Sequence, residues 1–246
     1  MIVLMALLGA SRAAAAAEEC VILLHGLART EDAMQPMAEF LAAEGFDTAN
    51  VGYPSREKSI EKLAPAAIEQ GLNQCAKADR VHFVTHSMGG ILVRYYLGKK
   101  PLERLGHVVM LAPPNQGSEV VDRLRTVPGF DLINGPAGLQ LGTGENSLPR
   151  QLGPVDYSVG IIAGSETFNP LLSQALPNPD DGKVSVDATR VEGMSDFLVV
   201  PHSHPFIMRA ESVKRQTSFF LRNGRFDHDV APSEDGVSRR SDTPQA

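Results

Sequence analysis

The sequence predicts an α/β fold, a mainly parallel sheet with helices on both faces, and three observations point there. Apolar runs without strict alternation recur along the chain, helical periodicities separate them, and 246 residues suit one such domain without a second core. The runs VILLH (21–25), VHFVT (81–85), HVVMLA (107–112) and YSVGIIA (157–163) read as strands buried on both faces. Between the first two, Met34, Met37, Ala38 and Leu41 repeat at helical spacing before a stop at Gly45. Ile60, Leu63, Ala64, Ala67, Ile68 and Leu72 form a second helical stripe. A last amphipathic helix is expected from about Pro205 to Arg222, with its stop at Gly224.

Three stretches stand outside this alternation. Residues 116–153 are rich in Gly, Pro and Asn around Val120, Val121 and Leu124, and are too long for a simple connection. They read as a small cap whose Leu132, Ile133, Leu139 and Leu141 are candidates to line an apolar site. Residues 227–246 lack apolar periodicity and are expected to be a disordered tail. At the start, the apolar run Ile2 to Gly9 and the alanines 13–17 have the pattern of a signal peptide over 1–17. The positive segment that usually precedes such a run is missing, and a start further upstream would supply it. The expected domain is therefore 18–226, in a periplasmic or secreted protein.

Composition narrows the function. With 43% hydrophobic and 21% charged residues the chain is ordinary for a globular protein, and no apolar run approaches a membrane span. A formal net charge of -6, without Lys and Arg strung between aromatics, argues against a nucleic-acid partner. There is no HExxH pattern, the two cysteines are far apart, and no Gly-rich phosphate loop follows a strand, so neither a metal nor another cofactor is expected.

The chemistry concentrates at Thr85-His86-Ser87-Met88-Gly89-Gly90, which leaves an apolar strand and opens a helix carrying Ile91, Leu92, Tyr95 and Tyr96. A sharp strand-to-helix turn there would lift the Ser87 hydroxyl above the sheet edge and aim the helix N-terminus at developing negative charge, the setting of a nucleophile elbow. The competing reading is that Ser87 only caps the helix. Thr85 stands where the usual elbow has its first glycine. His25-Gly26-Leu27 follows the first strand, where Gly26 permits close backbone approach and His25 is suited to holding the loop by hydrogen bonds. His82 and His107 lie in or beside strands and read as structural, His86 would shape the pocket, and His228 falls in the tail.

Taken together, VILLHGL, VHFVTHSMGGILVRYYL, VVMLAPPNQGS and DDGKVSV resemble the bacterial lipase and esterase branch of the α/β-hydrolase superfamily, from about Cys20 to Phe220. The resemblance implies an α/β-hydrolase fold and a serine hydrolase acting on carboxylic esters of small molecules or lipids, with Ser87 as nucleophile. The family order Ser, acid, His falls on Ser87, Asp181 and His204, with the amides of Leu27 and Met88 as oxyanion hole. Asp180 and His202 are near neighbours of these positions, and Asp187 and Asp196 are further candidate acids in strand-like segments. The same triad would equally serve an acyltransferase or thioesterase, and a non-catalytic binding protein on this scaffold is the remaining alternative. In such a fold the strands after Cys20 and after Cys75 are neighbours, which admits a Cys20–Cys75 disulfide in an exported protein. Two buried, inert thiols are the alternative.

Overall fold

A computed structural model describes residues 18–167, 176–177 and 179–230. The segment read as a signal peptide and most of the expected tail lie outside the described residues. Six strands, β1 (Glu19–Leu24), β2 (Asp47–Val51), β3 (Arg80–His86), β4 (Leu105–Leu111), β5 (Val159–Gly164) and β6 (Asp196–Val200), form one sheet in the order β2-β1-β3-β4-β5-β6. Every pairing is parallel. The apolar runs follow from burial on both faces. Ile22 and Leu24 enter one core with Phe83, Leu63 and Ile68, while Val21 and Leu23 enter the opposite core with Val84, Leu41 and Phe220.

Helices α1 (Gln35–Ala43), α2 (Ile60–Gln74) and α3 (Met88–Leu97) connect the first four strands. The Met34–Leu41 stripe falls on α1 and its N-cap Met34, and the Ile60–Leu72 stripe falls on α2, where Leu72 is only half-buried and Gly71 is buried beside the predicted residues. Residues 116–153 hold three short helices, α4 (Glu119–Leu124), α5 (Phe130–Leu139) and α6 (Leu148–Gln151). The last helix, α7 (Glu211–Asn223), begins later than Pro205, because residues 207–209 form a separate 3-10 turn, and it ends at Gly224. Its Val213, Phe220 and Leu221 are buried against the sheet, each contributing roughly 1.5–3 kcal/mol by removal from water. No helix among the described residues is long and apolar enough to cross a membrane.

Packing extends past Phe226. The Gln216 side chain donates to the Asp227 carbonyl at 2.7 Å, and His228 Nε2 lies 2.9 Å from Asp196 Oδ1. Cys20 and Cys75 are joined by a disulfide with a Cα–Cα distance of 5.7 Å, tying the start of β1 to the residue that ends α2.

The strand order also locates the functional end. The chain moves from β1 outward to β2, then returns to place β3 on the other side of β1, so the carboxyl ends of β1 and β3 flank the point where the winding reverses. Open α/β sheets bind ligands in that crevice. Here it is bordered by His25-Gly26-Leu27 and His86-Ser87.

Candidate active site

Ser87 is the turn between β3 and α3, with φ 53° and ψ -123°. This is a costly conformation for a residue with a side chain, and it is held by the Ser87 amide donating to the Leu111 carbonyl at 2.9 Å. Gly89 makes the turn sterically feasible, since a Cβ there would lie 2.6 Å from the Leu24 carbonyl oxygen. Ser87 occupies the N-cap position, yet its side chain makes no capping bond. Its Oγ lies 3.0 Å from His204 Nε2.

His204 and Asp181 reach this point from the two loops beyond β5 and β6. His204 Nδ1 lies 2.7 Å from Asp181 Oδ2, and the His204 amide donates to the Asp181 carbonyl at 2.9 Å. The other carboxylate oxygen, Oδ1, accepts the amides of Lys183 at 2.9 Å and Val184 at 2.8 Å. With Nδ1–H donated to Asp181, the neutral imidazole leaves Nε2 as the acceptor for the Ser87 hydroxyl. Ser87, Asp181 and His204 are thus brought into one hydrogen-bonded chain, with Asp181 and His204 buried.

The neighbouring candidates are placed elsewhere. Asp180 Oδ1 accepts the Gly182 amide at 2.7 Å and shapes the loop, while His202 Nε2 meets Ser212 Oγ at 3.2 Å. Asp187 opens a short 3-10 turn instead of lying in a strand, and Asp196, at the start of β6, accepts the Phe226 amide. Leu27 borders the same cavity as Ser87, and Met88 is the first residue of α3. Among the described residues neither amide has a hydrogen-bond acceptor, as is normal for a free helix N-terminus such as that at Met88.

Several supporting contacts join residues too distant in sequence to be read as pairs. His86 Nε2 donates to the His204 carbonyl at 2.9 Å, and burial, followed by the nearby His204, holds His86 well below the ordinary histidine pKa. His25 stacks on Tyr53 with ring centroids 4.0 Å apart, and its Nδ1 donates to the Gly26 carbonyl at 2.9 Å. The Tyr53 hydroxyl donates to the His25 carbonyl, so this histidine holds the loop by hydrogen bonds. Burial lowers its pKa, partly offset by the bond to Gly26.

Over Ser87 lies a cavity of about 340 Å3 with largely apolar walls from the 116–153 insertion. Ile133 and Leu141 line it as expected, but Leu132 and Leu139 do not. They are 82% and 43% exposed, and Val120, Val121, Leu124 and Phe130 take their place. Arg29 and Lys183 also border this cavity, and no motif or spacing marks either of them.

A parallel sheet in this order, with its connecting helices, superposes on solved structures. The mature lipase BlEst2 of Bacillus licheniformis superposes with a TM-score of 0.64 at 19% identity, covering 85% of this chain and 92% of that one. The chain has the α/β-hydrolase fold. The metagenomic carboxyl esterase MGS0156 gives 0.58 at 20% identity, over 78% of this chain and 66% of that one. Phospholipase PlaB of Legionella pneumophila gives 0.56 at 20% identity, over 70% of this chain and 45% of that one. No protein-family profile and no curated sequence matches. In architecture the chain is thus similar to bacterial lipases and esterases.

Proposed function

We propose that the protein hydrolyses carboxylic esters through an acyl-enzyme on Ser87. The observation that carries this reading is the Ser87 Oγ at 3.0 Å from a histidine whose far nitrogen is held by a buried carboxylate, while the serine leaves its helix uncapped. The fold's similarity to a lipase, a carboxyl esterase and a phospholipase supports the same chemistry.

In this mechanism His204 Nε2 takes the Ser87 proton as Oγ attacks the acyl carbon, and Asp181 orients the imidazole and stabilises its charge. The Leu27 and Met88 amides receive the oxyanion, aided by the N-terminus of α3. His204 returns the proton to the departing alcohol, and water attacks the acyl-enzyme by the same route. The insertion 116–153 acts as a cap, its apolar walls taking the acyl chain. Residues 1–17 serve as a cleaved signal peptide for a periplasmic or secreted enzyme, an assignment the Cys20–Cys75 disulfide suits.

The test is hydrolysis of p-nitrophenyl esters of increasing acyl length by the protein and by Ser87→Ala. A loss of roughly three to six orders of magnitude is expected in the variant, with its circular dichroism unchanged. Substantial activity in pure Ser87→Ala protein would refute the assignment.

A further inference from the structure

The cavity over Ser87 is polarised from floor to rim. Its floor is apolar, with Val120, Phe130 and Leu141 each no more than 8% exposed, whereas Arg29 and Lys183 stand at its solvent-facing edge. Arg29 is also a wall of a second cavity, of about 650 Å3, whose lining includes Arg56 and Arg209 together with the carboxylates Asp32 and Glu57. Among the described residues none of these four cations forms an ion pair. Lys183 is held below the usual lysine pKa, by desolvation first and then by the charge of Arg29, with Asp181 acting in the opposite direction. Cations that line adjoining cavities outside ion-pair distance of a carboxylate are suited to hold an anion, and guanidinium groups match phosphate oxygens in pairs.

We propose that the ester substrate carries a phosphate group on its alcohol portion, seated in the groove at Arg29, which borders both cavities, with Lys183 on the side of the first and Arg56 and Arg209 on the side of the second, while the acyl chain fills the apolar cavity. The inference rests on the ester-hydrolase reading and names the substrate class. Ser87 Oγ bonds to the acyl carbon, the ester C–O bond breaks, and the phosphorylated alcohol leaves with the proton that His204 took from Ser87. Asp32 and Glu57, which line the second cavity, repel the phosphate in part.

The experiment compares 1-butyryl-glycerol with 1-butyryl-glycerol 3-phosphate, both soluble monomers, by titrating released butyrate. A ratio of kcat/KM of roughly tenfold or more in favour of the phosphate ester is expected at low salt, declining as salt screens the groove. Arg29→Gln and the double change Arg56→Gln with Arg209→Gln should each lower that ratio, and the neutral ester, assayed in parallel, reports folding. A wild-type ratio near one, or a ratio unmoved in both variants, would overturn the inference while leaving the esterase intact. Preference that appears only with vesicles of a long-chain acyl glycerophosphate, and not with the monomer, would place recognition on a lipid surface and overturn it as well. If neither ester is cleaved, the functional reading fails and the inference falls with it.

Discussion

At the scale of the residue, the site turns on how a strained serine is accommodated. Thr85 takes the place of a glycine in the elbow, and the structure makes room for it one turn on: a Cβ on Gly90 would lie 3.3 Å from Thr85 Oγ1 and 3.2 Å from Met110 Sδ. The second glycine of the pair thus offsets the missing first one. Ser87 was legible because strand, turn and helix meet at consecutive residues. Asp181 and His204 were reached through resemblance, since sequence adjacency alone does not separate them from Asp180 and His202. The support of His204 by His86 was not legible, because it joins residues 118 apart. The geometry makes the four positions unequal. Asp181→Asn removes the partner of His204 Nδ1 and should lower kcat by roughly two to four orders of magnitude, and His204→Ala by at least as much. Asp180→Asn and His202→Ala should cost far less on the same soluble ester. Either neighbour proving the more damaging of its pair would reverse the assignment at that position.

At the scale of the element, four of the six strands follow from apolar runs, and the two that do not are short. In β2 only Ala49 and Val51 are buried, so this edge strand carries too little periodicity to stand out, and β6 begins with the half-buried Asp196 and Phe197. The walls of the cavity over Ser87 were only half legible for a different reason. Helix α5 is kinked at Gly135, which has φ 62°, so the helical spacing that would group Leu132 and Ile133 with Leu139 does not carry through. The disulfide joins β1 to the end of α2 across 55 residues, and in the chain-entropy model a loop of that size stabilises by about 4 kcal/mol. The double change Cys20→Ser with Cys75→Ser should lower the unfolding free energy in urea by about that amount, with esterase activity retained at low temperature. An unchanged urea midpoint would show that the bond is not formed in the folded protein.

At the scale of the whole molecule, the reversal of winding beside β1 sets the site, and histidines buried beside it and at the opposite end of β3 set how the fold responds to acid. His25, His82 and His86 are fully buried, and burial lowers the pKa of each, that of His82 to about 4. His82 Nδ1 accepts the His107 amide at 2.9 Å, an arrangement that protonation would break. Below about pH 6.5 the unfolded chain takes up protons that the folded one does not, so stability falls as the pH drops. The slope is about 1.4 kcal/mol per pH unit for each such histidine, down to its folded pKa. Urea midpoints should therefore fall from pH 7 to pH 5, and less steeply in His82→Gln, which keeps an acceptor for the His107 amide. Equal midpoints across that range would contradict the burial of these groups as neutral rings. The claim that everything else depends on is that the folded molecule makes one serine nucleophilic, and labelling tests it most directly. A fluorophosphonate should add once to the native protein, with the adduct mapped to Ser87 by mass spectrometry, and should fail to add after denaturation or in Ser87→Ala. An adduct on another residue, or ester hydrolysis that continues with Ser87 unlabelled, would contradict the account.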